Sequence, residues 1–221
     1  MQCPGHAVRL VAPSIREGAS GSLRAMTVRR WHQVLFVLAA WVGLVAGAPA
    51  ASAHTGQGLV GVWAGLVHPF VGVDHLLAMI TVGILAYTLG RDLSVPAAFL
   101  GAMTIGGALG MMGLAAPLGE WAIAISVLAL GAALVAGAAL RRGVALVLVG
   151  LAGLAHGHAH GIEAPSAAHP VLYVAGFLAA TAALHSAGWV AGWATASRSA
   201  LRTAAGIGVA GVGIGLLVSL A

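Results

Sequence analysis

The sequence predicts an all-α integral membrane protein: six transmembrane helices after a cleaved signal peptide, with a short re-entrant or half-helix before the first span. Three observations carry that expectation. The chain is 60% hydrophobic and 7% charged, with a mean hydropathy of +1.01, a composition that no ordinary soluble domain shows. Six apolar stretches approach the roughly 20 residues a helix needs to cross a 30 Å hydrocarbon layer. The arginines outside the first thirty residues fall into three groups whose spacing suits one side of a membrane.

The expected spans run from Val73 to Gly90, Pro96 to Ala116, Trp121 to Leu140, Gly143 to His160, Pro170 to Trp193 and Thr203 to Leu220. Ahead of them, "GLVGVWAGLV" is too short to cross alone and stops at His68-Pro69, where proline ends a helix. The arginines at Arg91, at Arg141 with Arg142, and at Arg198 with Arg202 should lie inside. Six spans that start outside satisfy this, whereas a full span at Gly58 to Val67 would turn every group outward.

At the other end of the chain, "MTVRR", "WHQVLFVLAAWVGLVAGA" and "PAASAHTG" form a basic, an apolar and a small-residue cleavage region that ends at Ala53. Residues 1–53 are thus expected to be a removed signal region, with Met26 as the true start, and residues 54–221 a polytopic membrane domain. An uncleaved anchor is the other reading of the same stretch. The mature N-terminus, His54, would lie outside a cell (inner or cytoplasmic) membrane.

The formal charge of +5 suggests nucleic acid, but five of the ten arginines lie in the first thirty residues, so no nucleic-acid partner is expected. Cys3 falls in the same removed part, leaving neither disulfide nor thiolate. Any metal must be held by nitrogen and oxygen. There is no GxxxxGK[ST] loop for a nucleotide.

The topology gathers most of the histidines and three carboxylates on the outer side, and ionisable groups at membrane depth are functional candidates. In "HPFVGVDH", His68 precedes a proline break, Gly72 permits a turn, and Asp74 and His75 open the next helix. A broken helix is a recurring way to build an ion site, although Asp74 also suits the positive end of the helix dipole. In "LAHGHAHGIE", His156, His160 and Glu163 share one face if the helix persists, while His158 points elsewhere. Two histidines and a carboxylate suit a borderline divalent metal; a histidine-rich loop that wets the surface is the alternative.

Four further residues carry two readings each. Glu120 either caps its helix or leans into the outer vestibule. His185, with Thr181 one turn earlier, either packs in the bundle or lies on a pathway. His158 is a possible collector at the mouth, and His54 would offer an amine and an imidazole if cleavage follows Ala53. The glycines of "GGALG" (Gly106, Gly110) and "GVGIG" (Gly211, Gly215) have the spacing that lets membrane helices approach closely.

These motifs resemble the HupE/UreJ family over essentially the whole mature chain. The family's histidine, five residues and Asp-His are met by His68, Asp74 and His75, and its "HGxAHGxE" pattern by His156, Gly157, Ala159, His160, Gly161 and Glu163. Ala155 departs from the phenylalanine often found before "HG". "GEWAIAISVLALG" around Glu120 and "FLAATAALHSAG" around His185 are lesser likenesses.

The resemblance implies a secondary permease for divalent nickel or cobalt that serves hydrogenase or urease accessory systems. Its metal site would be His68, Asp74, His75, His156, His160 and Glu163. Ni2+ or Co2+ would be the transported ion, with no prosthetic group, no enzymatic activity, and nickel-enzyme maturation proteins as partners beside the lipid bilayer. Two other classes stay open on the residues alone: an intramembrane zinc hydrolase built on the HxxxH spacing, for which Ser126 is poorly placed, and a non-transporting metal sensor or assembly factor.

Overall fold

The computed structural model describes residues 61–114, 119–163 and 170–221, and the backbone alone of Glu163. The expected signal region, His54, most of the Pro117 to Glu120 turn and His169 lie outside the described residues.

The described chain is helical. A short helix α1 (Val62–Val67) leads through a 3-10 turn (His68–Phe70) to α2 (Val73–Thr88). Then follow α3 (Ser94–Met111), α4 (Gly119–Ala136) with a 3-10 extension (Gly137–Ala139), α5 (Arg142–Glu163), α6 (Pro170–Ala194) and α7 (Ser199–Ser219).

Among the described residues, five segments are long and apolar enough to cross a bilayer: Ser94–Met111, Gly119–Ala139, Arg142–Ile162, Pro170–Ala194 and Ser199–Ser219. A sixth arises if Val62–Phe70 and Val73–Thr88, bent by 85° at their junction, are taken as one. Ile125, Val147, Leu151, Ile207 and Ile214 are more than half exposed on the outside of the bundle, a surface suited to lipid. The chain is a multi-pass membrane protein.

The first expected span differs in its bounds. α2 has 16 residues, short of the roughly 20 needed to cross alone. It ends at Thr88 because Gly90 and Arg91 turn the chain with positive φ, 87° and 66°. The missing length is available in α1. Both pack on α6: α1 crosses it at Tyr173–Phe177, where Gly65 and Gly176 let the backbones meet, and α2 lies against it between His185 and Gly192.

The closest seam joins α3 to α5, which run in the same direction. Gly153, Gly157 and Gly161, spaced by four on α5, face the backbones of Phe99, Met103 and Gly107; Gly106 and Gly110 answer from α3 against Leu154 and His158. A Cβ on any of these would overlap backbone atoms. The expected pair on α7 does not behave this way. Gly211 and Gly215 have nothing near them, and Gly206 and Gly213 make the approach to α4 at Gly131 and Leu128. Gly211 lies about 200° around the helix from Gly213, on the opposite side.

At the corner between α2 and α3, Arg142 of α5 donates from Nε to Asp92 Oδ2 and from Nη2 to Ser94 Oγ at 3.0 Å. The Ser94 hydroxyl and amide donate to Asp92 Oδ1 at 2.6 and 3.0 Å. The Arg142 guanidinium first, then Ser94, hold the Asp92 carboxyl below its ordinary range, at about 2.

Candidate metal centre

The interruption between α1 and α2 builds one wall of the site. Pro69 sits in the 3-10 turn, and the chain re-enters a helix after Gly72. Gly72 has φ −93°, a conformation open to any residue. What requires glycine here is space, because a Cβ would meet Asp74 Oδ1 at 2.6 Å and His75 Nδ1 at 2.8 Å. The missing side chain lets Asp74 and His75 fold back over the break.

The opposite wall is the last two turns of α5. The helix persists through Glu163, so His156 and His160 stack on one face, 0% and 3% exposed. Their rings meet those of the broken helix edge-on. His68 lies 4.6 Å from His160, His160 4.3 Å from His75, and His75 4.9 Å from His156, centroid to centroid. Phe177 closes the site 4.2 Å from His160, and Tyr173 stands 5.9 Å from His68. Two segments 80 to 90 residues apart in sequence thus bring four imidazoles and one carboxylate together.

Neighbouring oxygens set where the ring protons sit. His156 Nδ1 is 2.9 Å from the Ala152 carbonyl, which can only accept, so Nδ1 carries the proton. His75 Nδ1 lies at ion-pair distance, 2.8 Å, from Asp74 Oδ1, and the carboxylate's charge favours a proton on that nitrogen. In both rings Nε2 has no hydrogen-bond partner among the described residues. Nitrogen ligands of metals show this pattern, one ring nitrogen anchored to an oxygen and the other presenting its lone pair.

As the rings stand, no three His, Cys, Asp or Glu side chains among the described residues converge on a single metal position. The fit lies in the donor set and its spacing. Two imidazoles that share an ion at about 2.1 Å have centroids about 5 Å apart, near the separations found here. Rotation about χ2, a soft torsion in histidine, is the movement needed to turn the nitrogens inward. A cavity of about 120 Å³ reaches His160 between α3, α5 and α6, lined also by Met103, Gly157 and Phe177.

Of the other candidate residues, His158, Glu120 and His185 lie apart from the cluster. His158 faces away, its Nε2 2.7 Å from the Leu114 carbonyl, and ties α5 to the end of α3. Glu120 is exposed in the first turn of α4. Glu163 ends α5 beyond His160, its side chain outside the described residues, as is His54. His185 is 4% exposed in the middle of α6, with its ring 5.2 Å from Phe99. Thr181, expected beside it, donates instead to the Phe177 carbonyl of its own helix.

The family model described as "HupE / UreJ protein" matches residues 25–216. The chain belongs to the HupE/UreJ family. "Protein HupE" of Rhizobium leguminosarum bv. viciae is 48% identical over 140 residues, 62% of this chain and 73% of that protein. No solved structure matches. In this HupE/UreJ chain the aromatic walls, Tyr173 and Phe177, are part of the site that motif reading left out, and Phe99 stands behind it, 6.0 Å from His156. Phe177 carried little signal, because the same helix also holds Tyr173, Trp189 and Trp193. The four-residue glycine spacing of Gly153, Gly157 and Gly161 could also have been read.

Proposed function

We propose that this chain is a secondary permease that takes up divalent nickel, or cobalt, for the maturation of hydrogenase- or urease-type metalloenzymes. The observation that carries the reading is the pair His75 and His156, their rings 4.9 Å apart, each with Nδ1 within 2.9 Å of an oxygen and Nε2 without a hydrogen-bond partner among the described residues, beside His68 and His160. Glu163 belongs to the same capture set by its position one turn beyond His160. His158 and Glu120 stand outside it, and no prosthetic group takes part. Membership of HupE/UreJ and the likeness to Protein HupE support the metal-uptake assignment.

In this reading α1 and α2 form one span broken at His68–Gly72, which brings the count to six. The arginine corners face the cytoplasm, the cluster opens outward, and the signal region is removed so that residues 54–221 form the mature protein in the cytoplasmic membrane. The membrane potential can supply the drive. A doubly charged ion that moves inward across about 100 mV gains about 4.6 kcal/mol, roughly a thousandfold accumulation.

The test is radioactive nickel uptake into cells that express the protein, its Asp74→Ala and His160→Ala variants at equal membrane levels, and an agent that collapses the potential. Loss of uptake in both variants and with the agent is the expected result. Undiminished uptake by both variants would reject the site, and no uptake above empty cells would reject the permease.

A further inference from the structure

We propose that Phe99 is a gate between the outer histidine cluster and a second, inner station for the metal ion at His185. The proposal rests on the permease reading and says where its path continues.

The geometry is a file of rings. From the outer end it runs His68, His160, His75 and His156, each imidazole 4.3 to 4.9 Å from the next. It then continues through Phe99, 6.0 Å from His156, to His185, 5.2 Å further on. Among the described residues Phe99 is the one aromatic ring in contact with both imidazoles. The file therefore holds five histidines with a single phenyl ring between the fourth and the fifth.

His185 packs its ring against Phe99 but commits neither nitrogen to a hydrogen bond among the described residues. It lies about 22 Å along α6 from Pro170, is 4% exposed, and both ring nitrogens lack a hydrogen-bond partner among the described residues. A buried polar group without a partner costs about 1–3 kcal/mol, and an apolar residue would pack there without that cost. Thr181, the nearest polar residue on the same helix face, spends its hydroxyl on the Phe177 carbonyl. An imidazole kept in that state at the end of a line of imidazoles is suited to receive an ion.

Phe99 is suited to withhold it. The ring is fully buried, offers no lone pair, and excludes the water that would otherwise carry a partly hydrated ion; apolar constrictions gate channels in this way. The Phe99 backbone cannot move aside easily, because Gly153 of α5 lies directly against its carbonyl. The side-chain torsions are what remains free to open the path. An ion held by Nε2 of His156 reaches His185 only when the phenyl ring swings out, so its movement sets the transfer rate, while capture depends on the four outer histidines.

The experiment measures two quantities on the full-length protein: equilibrium binding of nickel to detergent-purified protein, and initial nickel uptake by cells at matched membrane levels. The variants are Phe99→Ala, Phe99→Leu and His185→Gln. Phe99→Ala is expected to bind nickel as wild type does and take it up several-fold faster, with Phe99→Leu in between. His185→Gln is expected to retain binding and lose uptake by at least about tenfold. Uptake equal to wild type in all three, or binding and uptake falling together in both Phe99 variants, would overturn the gate and leave the permease standing. A wild-type protein that binds nickel and transports none would overturn the permease reading and the gate with it.

Discussion

Asp74 is 2.8 Å from His75 Nδ1, so an ion held by His75 Nε2 would sit one imidazole beyond the carboxylate, about 7 Å away for a metal–nitrogen bond of about 2.1 Å. At an effective dielectric near 20, a doubly charged ion at that distance is attracted by about 5 kcal/mol. The lost hydration of ion and carboxylate offsets much of this, and carboxylates that act through a ligating histidine change affinity by about 10- to 100-fold, or about 1.4 to 2.8 kcal/mol. Asp74→Asn keeps an oxygen to accept from Nδ1 and removes the charge, so its loss should sit near the lower figure; Asp74→Ala removes both and should sit near the upper. Equilibrium nickel binding by purified protein measures each. The double variant Asp74→Asn with His75→Ala separates the routes, because a carboxylate that acts only through His75 adds nothing once His75 is gone. Losses that multiply would show that Asp74 meets the ion directly, and wild-type affinity in Asp74→Asn would refute any part for its charge.

Gly72→Ala should weaken nickel binding without preventing insertion, because the added methyl displaces Asp74 and His75; equal binding in wild type and variant would contradict the space argument. Gly157→Ala places a methyl against the Met103 backbone, and forced overpacking of that kind costs about 1–3 kcal/mol. A lower thermal midpoint in detergent checks it, with Gly211→Ala, which faces open space, as the silent control. Asp92 has its carboxyl depressed from near 3.8 to about 2, so its contribution to stability is present above pH 4 and lost as pH falls towards 2. Asp92→Asn should therefore melt earlier than wild type at pH 7, with the gap closing through that window; a pH-independent gap would locate the effect elsewhere.

The helical class and the membrane were legible because lipid imposes them everywhere: a span must be apolar along its whole length, and a motif such as "HPFVGVDH" stands out against that background. The cluster of His68, Asp74, His75, His156 and His160 was legible for the same reason. Less visible was anything that depends on rotation about a helix axis. Nearly every face of these helices is apolar, so periodicity could not say that Gly213 and not Gly211 meets α4, or that Thr181 turns back on the Phe177 carbonyl. Nor could spacing reveal that Gly72 is needed for the room it leaves, since that depends on where two later side chains fold. The shortness of α2 was hidden because "LAYTLG" remains apolar past Thr88, where the helix ends ahead of the Gly90 and Arg91 turn.

The break between α1 and α2 and the glycine seam between α3 and α5 serve one end. A continuous first helix would carry His68 and His75 seven residues apart along one axis, about 10 Å of rise, too far to share an ion. The 85° bend swings His68 over His160 and leaves His75 against His156, so that the two segments present their imidazoles alternately: His68, His160, His75, His156. The seam then holds α5 against α3 so closely that Phe99 reaches His156. In the proposed permease, neighbouring rings under 5 Å apart would let an ion take its next ligand before it releases the last, which would avoid a bare divalent cation in the bilayer. Sites that pass ions on must bind well enough to strip water and weakly enough to let go. Overlapping ligand sets meet both demands, with no single pair of histidines required to hold the ion alone.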